Sequence, residues 1–339
     1  MARKPFTTYW SSLTLYENCP RQFLWSRGWG DIDLGRGPGR GKAVSKQKSE
    51  HHILMGEAIQ KVIEAMYNDE IWRDPSLYKR LEALEERVFR EMLTKRFIDW
   101  RDVTITELRE VVHNGIFGFV KTFKHNKLIG PYARCETDYI GYIDKWNPIG
   151  GRFDFLIRRD DVGTMILDGK NGKRDKNGVI HIDPDQLRFY ALAFWLQHKV
   201  LPNKLGFIPY RYPWGWVPPE DEWPVDATGV PIKPEPETGV MWVDFDMGML
   251  KALAFRAVEA RKGMEKGKFD PTPTPTKCKF CDFEDVCPER QAQKAANAAK
   301  RGDKPSILED GSAGIVPLGL ASASGIMTFG FPSKESKTG

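Results

Sequence analysis

GRFDFLIRRDDVGTMILDGK, residues 151–170, decides the reading of this chain. Two runs with period-two apolar alternation, 151–158 and 164–170, flank the turn residues Asp160 and Asp161, which predicts adjacent strands of a hairpin. Each run carries an acid, Asp154 in the first and Asp168 in the second, so the turn brings two carboxylates together. Lys170 follows Asp168 by two residues, and side chains two apart on a strand share a face. Paired carboxylates hold a hard cation such as Mg²⁺ or Mn²⁺. Such an ion polarises a phosphate and acidifies bound water, while a lysine ammonium orients that water or balances developing charge. The pattern fits phosphodiester hydrolysis. A lone D-x-K is usually plain surface charge, and the acid shortly before it is what raises its value here.

Outward from this hairpin, residues 134–143 predict a preceding strand that carries Glu136. Glu136 is either a neighbour of the metal and Lys170 or polar strand surface. Residues 185–199 predict an apolar helix packed on the sheet, with Gln186 and Tyr190 at i, i+4 on one face. That pair either contacts a phosphate and the scissile strand or belongs to an ordinary helix with a half-buried tyrosine. Further strands are expected at 205–210 and 240–245, and helices at 52–66, 106–125 and 247–266, with a short one over 11–25 that Pro20 bends. The fold class is α/β, a central mixed sheet flanked by helices. One domain covers 1–300. It includes a basic, mobile Gly-rich loop at 35–49 and a Pro/Trp-rich excursion at 213–236, and a flexible tail follows at 301–339.

With 339 residues, 41% hydrophobic and 29% charged, the chain can bury a sizeable core. The net charge of +5 is modest, but Arg36, Arg40, Lys42, Lys46 and Lys48 cluster, as do Lys170, Lys173, Arg174 and Lys176. These groups suit a polyanion such as nucleic acid, or are solvated loops. Trp214, Trp216, Trp223 and Trp242 can stack on unpaired bases or cover the core. No apolar run is long enough to cross a bilayer and no secretory pattern opens the chain, so no membrane partner is expected. The expected location is a reducing one, the cytoplasm, or the host cell cytoplasm for a viral chain. There, clustered cysteines more often hold metal than form disulfides. Cys278, Cys281 and Cys287 read C-x2-C-x5-C, and Cys19 lies almost a domain away. Four thiolates suit zinc or an iron-sulfur cluster, and one knuckle plus two single cysteines favours the cluster. Cys135 reads as a small buried hydrophobe.

Taken in order, these residues resemble the PD-(D/E)XK nuclease superfamily, and within it the RecB-like branch that includes CRISPR-associated adaptation exonucleases and the AddB nuclease domain. Ser12-x3-Tyr16-x2-Cys19-Pro20-x2-Phe23 is similar to that branch's N-terminal cysteine motif, Gly151-x2-Asp154 and Asp168-x-Lys170 to its second and third motifs, and Gln186-x3-Tyr190 to its Q-x3-Y motif. The resemblance runs from about Ser11 to Pro288. It implies a metal-dependent DNA exonuclease in which Cys19, Cys278, Cys281 and Cys287 hold a structural [4Fe-4S] cluster. It also implies DNA ends as substrate and, as partner, a single-strand annealing protein or another recombination or CRISPR adaptation protein. One departure stands out. Relatives carry a metal-binding histidine on the first core helix in a G-x3-H pattern, whereas Gly56-x3-Gln60 puts glutamine there. Gln60 or the nearby Glu57 is then the expected ligand beside Asp154 and Asp168. The rival readings are a spacer-trimming nuclease of CRISPR adaptation and an inactive, nuclease-like DNA-binding protein.

Overall fold

The computed structural model describes residues 6–27, 49–95, 98–99, 103–175, 179–279 and 281–301. The basic loop expected at 35–49 lies, apart from its last residue, outside the described residues, as does the tail beyond Arg301. Met1–Gln293 form one compact unit; a second begins at Lys294.

In chain order the elements are β1 (Thr8–Tyr9), α1 (Trp10–Asn18), α2 (Pro20–Arg27), β2 (Ser49–Glu50), α3 (His51–Asn68), α4 (Leu77–Lys95), β3 (Ile98–Asp99), α5 (Ile105–His125), β4 (Tyr132–Tyr142), β5 (Pro148–Arg159), β6 (Gly163–Lys170), α6 (Pro184–His198), β7 (Lys204–Pro209), β8 (Met241–Val243), α7 (Met247–Glu265), α8 (Pro275–Cys278) and α9 (Pro288–Arg301). Pro20 does not merely bend the first helix. It opens a second one, where its missing N–H costs nothing. The helix α4 was not anticipated, although Leu77, Leu81, Leu84, Val88 and Met92 bury one face of it at helical spacing.

The main sheet is mixed and six-stranded. β4 and β5 pair antiparallel along their length, β5 and β6 form the expected hairpin, β6 and β7 are parallel, and β8 closes the edge antiparallel to β7. A parallel neighbour requires a crossover, and α6 supplies it between β6 and β7. β6 is covered on both faces, which explains its continuous apolar run Met165–Leu167. Met165 and Leu167 join Phe155 and Ile157 in a core with α3, α4 and α5; Ile166 faces a second core with α1, α2, α6 and α7. Helices on both faces of a mixed sheet are the expected α/β class. Asp168, an even residue like Ile166, therefore points towards α6.

The 213–236 excursion carries no named strand. It is pinned to α5, where the backbone N–H of Trp214 donates to Thr122 Oγ1 (2.9 Å) and its ring stacks on His125 at 4.2 Å. Trp242 instead belongs to β8, exposed beneath the Lys204 ammonium.

Candidate active site

The β5–β6 register pairs Phe155 with Leu167, so Asp154 and Asp168 sit opposite each other where the two strands part. The gap is bridged by the backbone, since Gly169 N–H donates to Asp154 Oδ2 at 2.9 Å. Asp168 is 2% exposed. Its Oδ2 meets Lys170 Nζ at 2.5 Å and its Oδ1 accepts from Gln186 Nε2 at 2.8 Å. Gln186 returns the contact through Oε1, which accepts from Lys170 Nζ at 2.9 Å, and its amide nitrogen also lies 2.8 Å from Tyr190 Oη. Asp154, Asp168, Lys170, Gln186 and Tyr190 thus come together as the sequence predicts. α6 makes this possible. Asp183 caps it through Asp185 N–H and Pro184 starts it, and the first turn holds Gln186 over the end of β6.

Burial raises the Asp154 carboxyl well above its ordinary value, and the charges of Asp168 and Glu136 push the same way. Burial also raises Asp168, against the lowering pull of Lys170. Taking a carboxylate out of water costs several kcal/mol, and one ammonium cannot offset two of them. The pair is short of positive charge, and its oxygens are the donors that a hard divalent cation prefers. The donor set fits Mg²⁺ or Mn²⁺.

Glu136, on β4, lies across from Asp154 on β5. Cys135 pairs with Phe155 and Thr137 with Phe153, while Glu136 itself drops out of the ladder with φ 53°, in the left-handed region. Such a conformation costs a glutamate about 1 kcal/mol or more and is concentrated at functional sites. Its carboxylate accepts from Gln60 Nε2 at 3.0 Å and lies 3.5 Å from Arg152. Gln60 is therefore at the site, but its carbonyl oxygen is occupied by the Tyr210 hydroxyl. Glu64, one turn further along α3, has its carboxyl raised by burial and by Glu136. Glu57 lies partly buried on the same helix.

Sequence reasoning missed Tyr210. Nothing local marks it, because only the parallel β6–β7 register brings it beside Gly169. A Cβ at Gly169 would stand 1.9 Å from the Tyr210 hydroxyl, so any side chain at the middle residue of this D-x-K would push Tyr210 aside.

The cysteines form a second locus. Cys19 ends α1, Cys278 ends α8, and Cys281 and Cys287 follow, and all four line one cavity together with Trp25 and Phe283. Thr272 Oγ1 donates to Asn18 O (2.7 Å), Arg21 Nε to Phe269 O (3.0 Å) and Tyr16 Oη to Lys268 O (2.8 Å), so the two chain ends meet here. Burial pushes the Cys281 thiol up to about 11, with Cys19 and Cys278 adding to it. Among the described residues, no group of three or more His, Cys, Asp or Glu side chains converges on a single ion position. Cys135 is buried in β4, as expected. None of the helices is long and apolar enough to cross a membrane, among the described residues.

Three comparisons bear on this geometry. The chain is 30% identical over 135 residues to the Gene 69 protein of Mycobacterium phage D29, which amounts to 39% of this chain and 43% of that protein. It thus spans less than half the length of that relative. Among solved structures it is similar to the crystal structure of SSO0001, with 16% identity, a TM-score of 0.30 and coverage of 70% of this chain and 95% of that one, a likeness too slight to bear on function. Over residues 10–288, a span that includes both the carboxylates and all four clustered cysteines, it matches a known family. The chain belongs to the PD-(D/E)XK nuclease superfamily.

Proposed function

We propose that the protein is a metal-dependent DNA exonuclease of the RecB-like branch, with Asp154, Asp168 and Lys170 at its centre. The observation that carries this reading is the hydrogen-bonded set of Asp168, Lys170, Gln186 and Tyr190, with Asp154 tied to it through Gly169. Asp154 and Asp168 would hold Mg²⁺ or Mn²⁺, which when bound polarises the phosphate and lowers the pKa of a water ligand. Lys170 would orient the attacking water, and Gln186 holds the lysine in place through its amide oxygen. Tyr190 and Gln186 would hold the scissile strand. Gln60 is poorly disposed to add a third oxygen, because its amide oxygen already accepts from the Tyr210 hydroxyl.

In the same reading Cys19, Cys278, Cys281 and Cys287 hold a [4Fe-4S] cluster that fastens the chain ends. Four thiols lining one cavity support it. The cellular role would be processing of DNA ends in recombination, repair or replication, beside a single-strand annealing protein. The test is cleavage of end-labelled DNA with Mn²⁺ by the wild type, Asp168→Ala and Lys170→Ala. Cleavage by the wild type alone is expected; if the variants cut equally well, the enzymatic reading fails.

A further inference from the structure

Tyr210 also belongs to a cleft of about 380 Å³ between α5 and the chain leaving β7. That volume suits a ligand of nucleotide size and is far short of a duplex. Its lining is basic and aromatic: Arg211, Lys121, Trp216, Phe117, His113 and Asn114. Arg211 is the informative residue. Its guanidinium is partly buried, and burial pulls its pKa down, yet it has no carboxylate partner among the described residues. Nε donates to Asn171 O at 3.1 Å and one terminal nitrogen lies 3.7 Å from Met55 Sδ. Half-buried cations are ordinarily paired, as Arg174 is with Glu237 nearby. Lys121, exposed on α5, likewise has no acidic partner among the described residues. Trp216 is a fixed platform, held edge-on by Tyr212 at 4.8 Å and by the Arg174 guanidinium at 5.7 Å. The cleft also adjoins the carboxylates. Asn171 directly follows Lys170, Tyr210 N–H donates to Lys170 O at 2.8 Å, and the Tyr210 hydroxyl reaches Gln60.

We propose that this cleft receives one unpaired DNA strand and leads it to the carboxylate site, with phosphates on Arg211 and Lys121 and a base against Trp216. The destination of the strand rests on the nuclease reading above; the binding does not. A base can stack on Trp216 only when it is unpaired, and phosphates supply the anion that Arg211 lacks. The preferred substrate is therefore single-stranded DNA or a frayed end.

The test is fluorescence anisotropy of a labelled single-stranded 15-mer and a blunt duplex of the same sequence, in EDTA, over a range of salt. EDTA stops metal-dependent cutting, so binding is read apart from cleavage. The wild type is expected to prefer the single strand. Arg211→Gln and Lys121→Gln should each weaken single-strand binding about ten-fold and lower the salt slope by about one, and Trp216→Ala should weaken it about five-fold with the slope unchanged. Lys121 is exposed, so its variant remains informative even if Arg211→Gln disturbs folding. Equal binding by Lys121→Gln, Trp216→Ala and the wild type, or tighter binding of the duplex, overturns the proposal. A protein that binds as expected but cuts nothing with Mn²⁺ refutes the nuclease reading and leaves the cleft standing.

Discussion

The carboxylate site and the cysteine cavity are both built from groups that the fold buries at some cost, but the fold treats them differently. At the carboxylates, protein donors already hold the acids: Gly169 N–H on Asp154, Lys170 and Gln186 on Asp168, and Gln60 on Glu136. The arrangement is set before any metal arrives, which is what electrostatic preorganisation requires. At the cysteines, backbone and aromatic contacts bring the chain ends together, while the thiols face a shared cavity and burial keeps Cys281 protonated. Binding of a cation there must expel protons and is coupled to folding of the ends. In the proposed reading the first site performs the chemistry and keeps its shape unaided, and the second needs the proposed cluster for stability.

Each prediction tests that contrast. The largest effect is expected for Asp168→Ala, which should lower Mn²⁺-dependent cleavage about a thousand-fold while leaving bound iron unchanged, read by end-labelled DNA assay and iron analysis. Next, Cys278→Ala should lose iron and visible absorbance near about 400 nm. A cofactor held at about 100 times its Kd contributes roughly 2.7 kcal/mol, so the melting midpoint should fall by about 4 °C. Gly169→Ala should cost about 1–3 kcal/mol by forcing Tyr210 away from Gln60, and should reduce cleavage without releasing iron. The mildest is Tyr210→Phe, which removes one hydrogen bond to Gln60 and should cost about 1 kcal/mol.

The pH dependence separates the two sites further. Burial raises Asp154 above its ordinary 3.8, so in the metal-free folded state it holds a proton that the unfolded chain has already lost. Its contribution to stability therefore falls as pH rises from about 4 through the folded value. Asp154→Asn removes that loss. The melting midpoint of the metal-free variant relative to wild type should rise as pH climbs above about 4. Stabilisation by Mn²⁺ should grow over the same range in the wild type, because the cation displaces that proton, and should shrink in the variant. A flat difference would contradict the burial argument.

Much of this was legible in the sequence because strand period and short spacing carry it. The hairpin placed Asp154 opposite Asp168, the two-residue step put Lys170 beside Asp168, and the i, i+4 step joined Gln186 to Tyr190. What escaped depends on long-range register. Tyr210 reaches Gln60 across 150 positions, and Arg211 meets Asn171 only because β7 lies parallel to β6. The left-handed turn at Glu136 escaped as well, since its residue type gives no sign of a positive φ. The helix α4 was overlooked although its apolar spacing was there to read.

The most direct measurement is the Mn²⁺-dependent cleavage rate per folded molecule for wild type, Asp168→Ala and Cys278→Ala, at a temperature where circular dichroism finds all three folded. The predicted result is a rate near wild type for Cys278→Ala and almost none for Asp168→Ala. A Cys278→Ala rate as low as that of Asp168→Ala, or an Asp168→Ala rate equal to wild type, would contradict the assignment of chemistry to the carboxylates and of fastening to the cysteines.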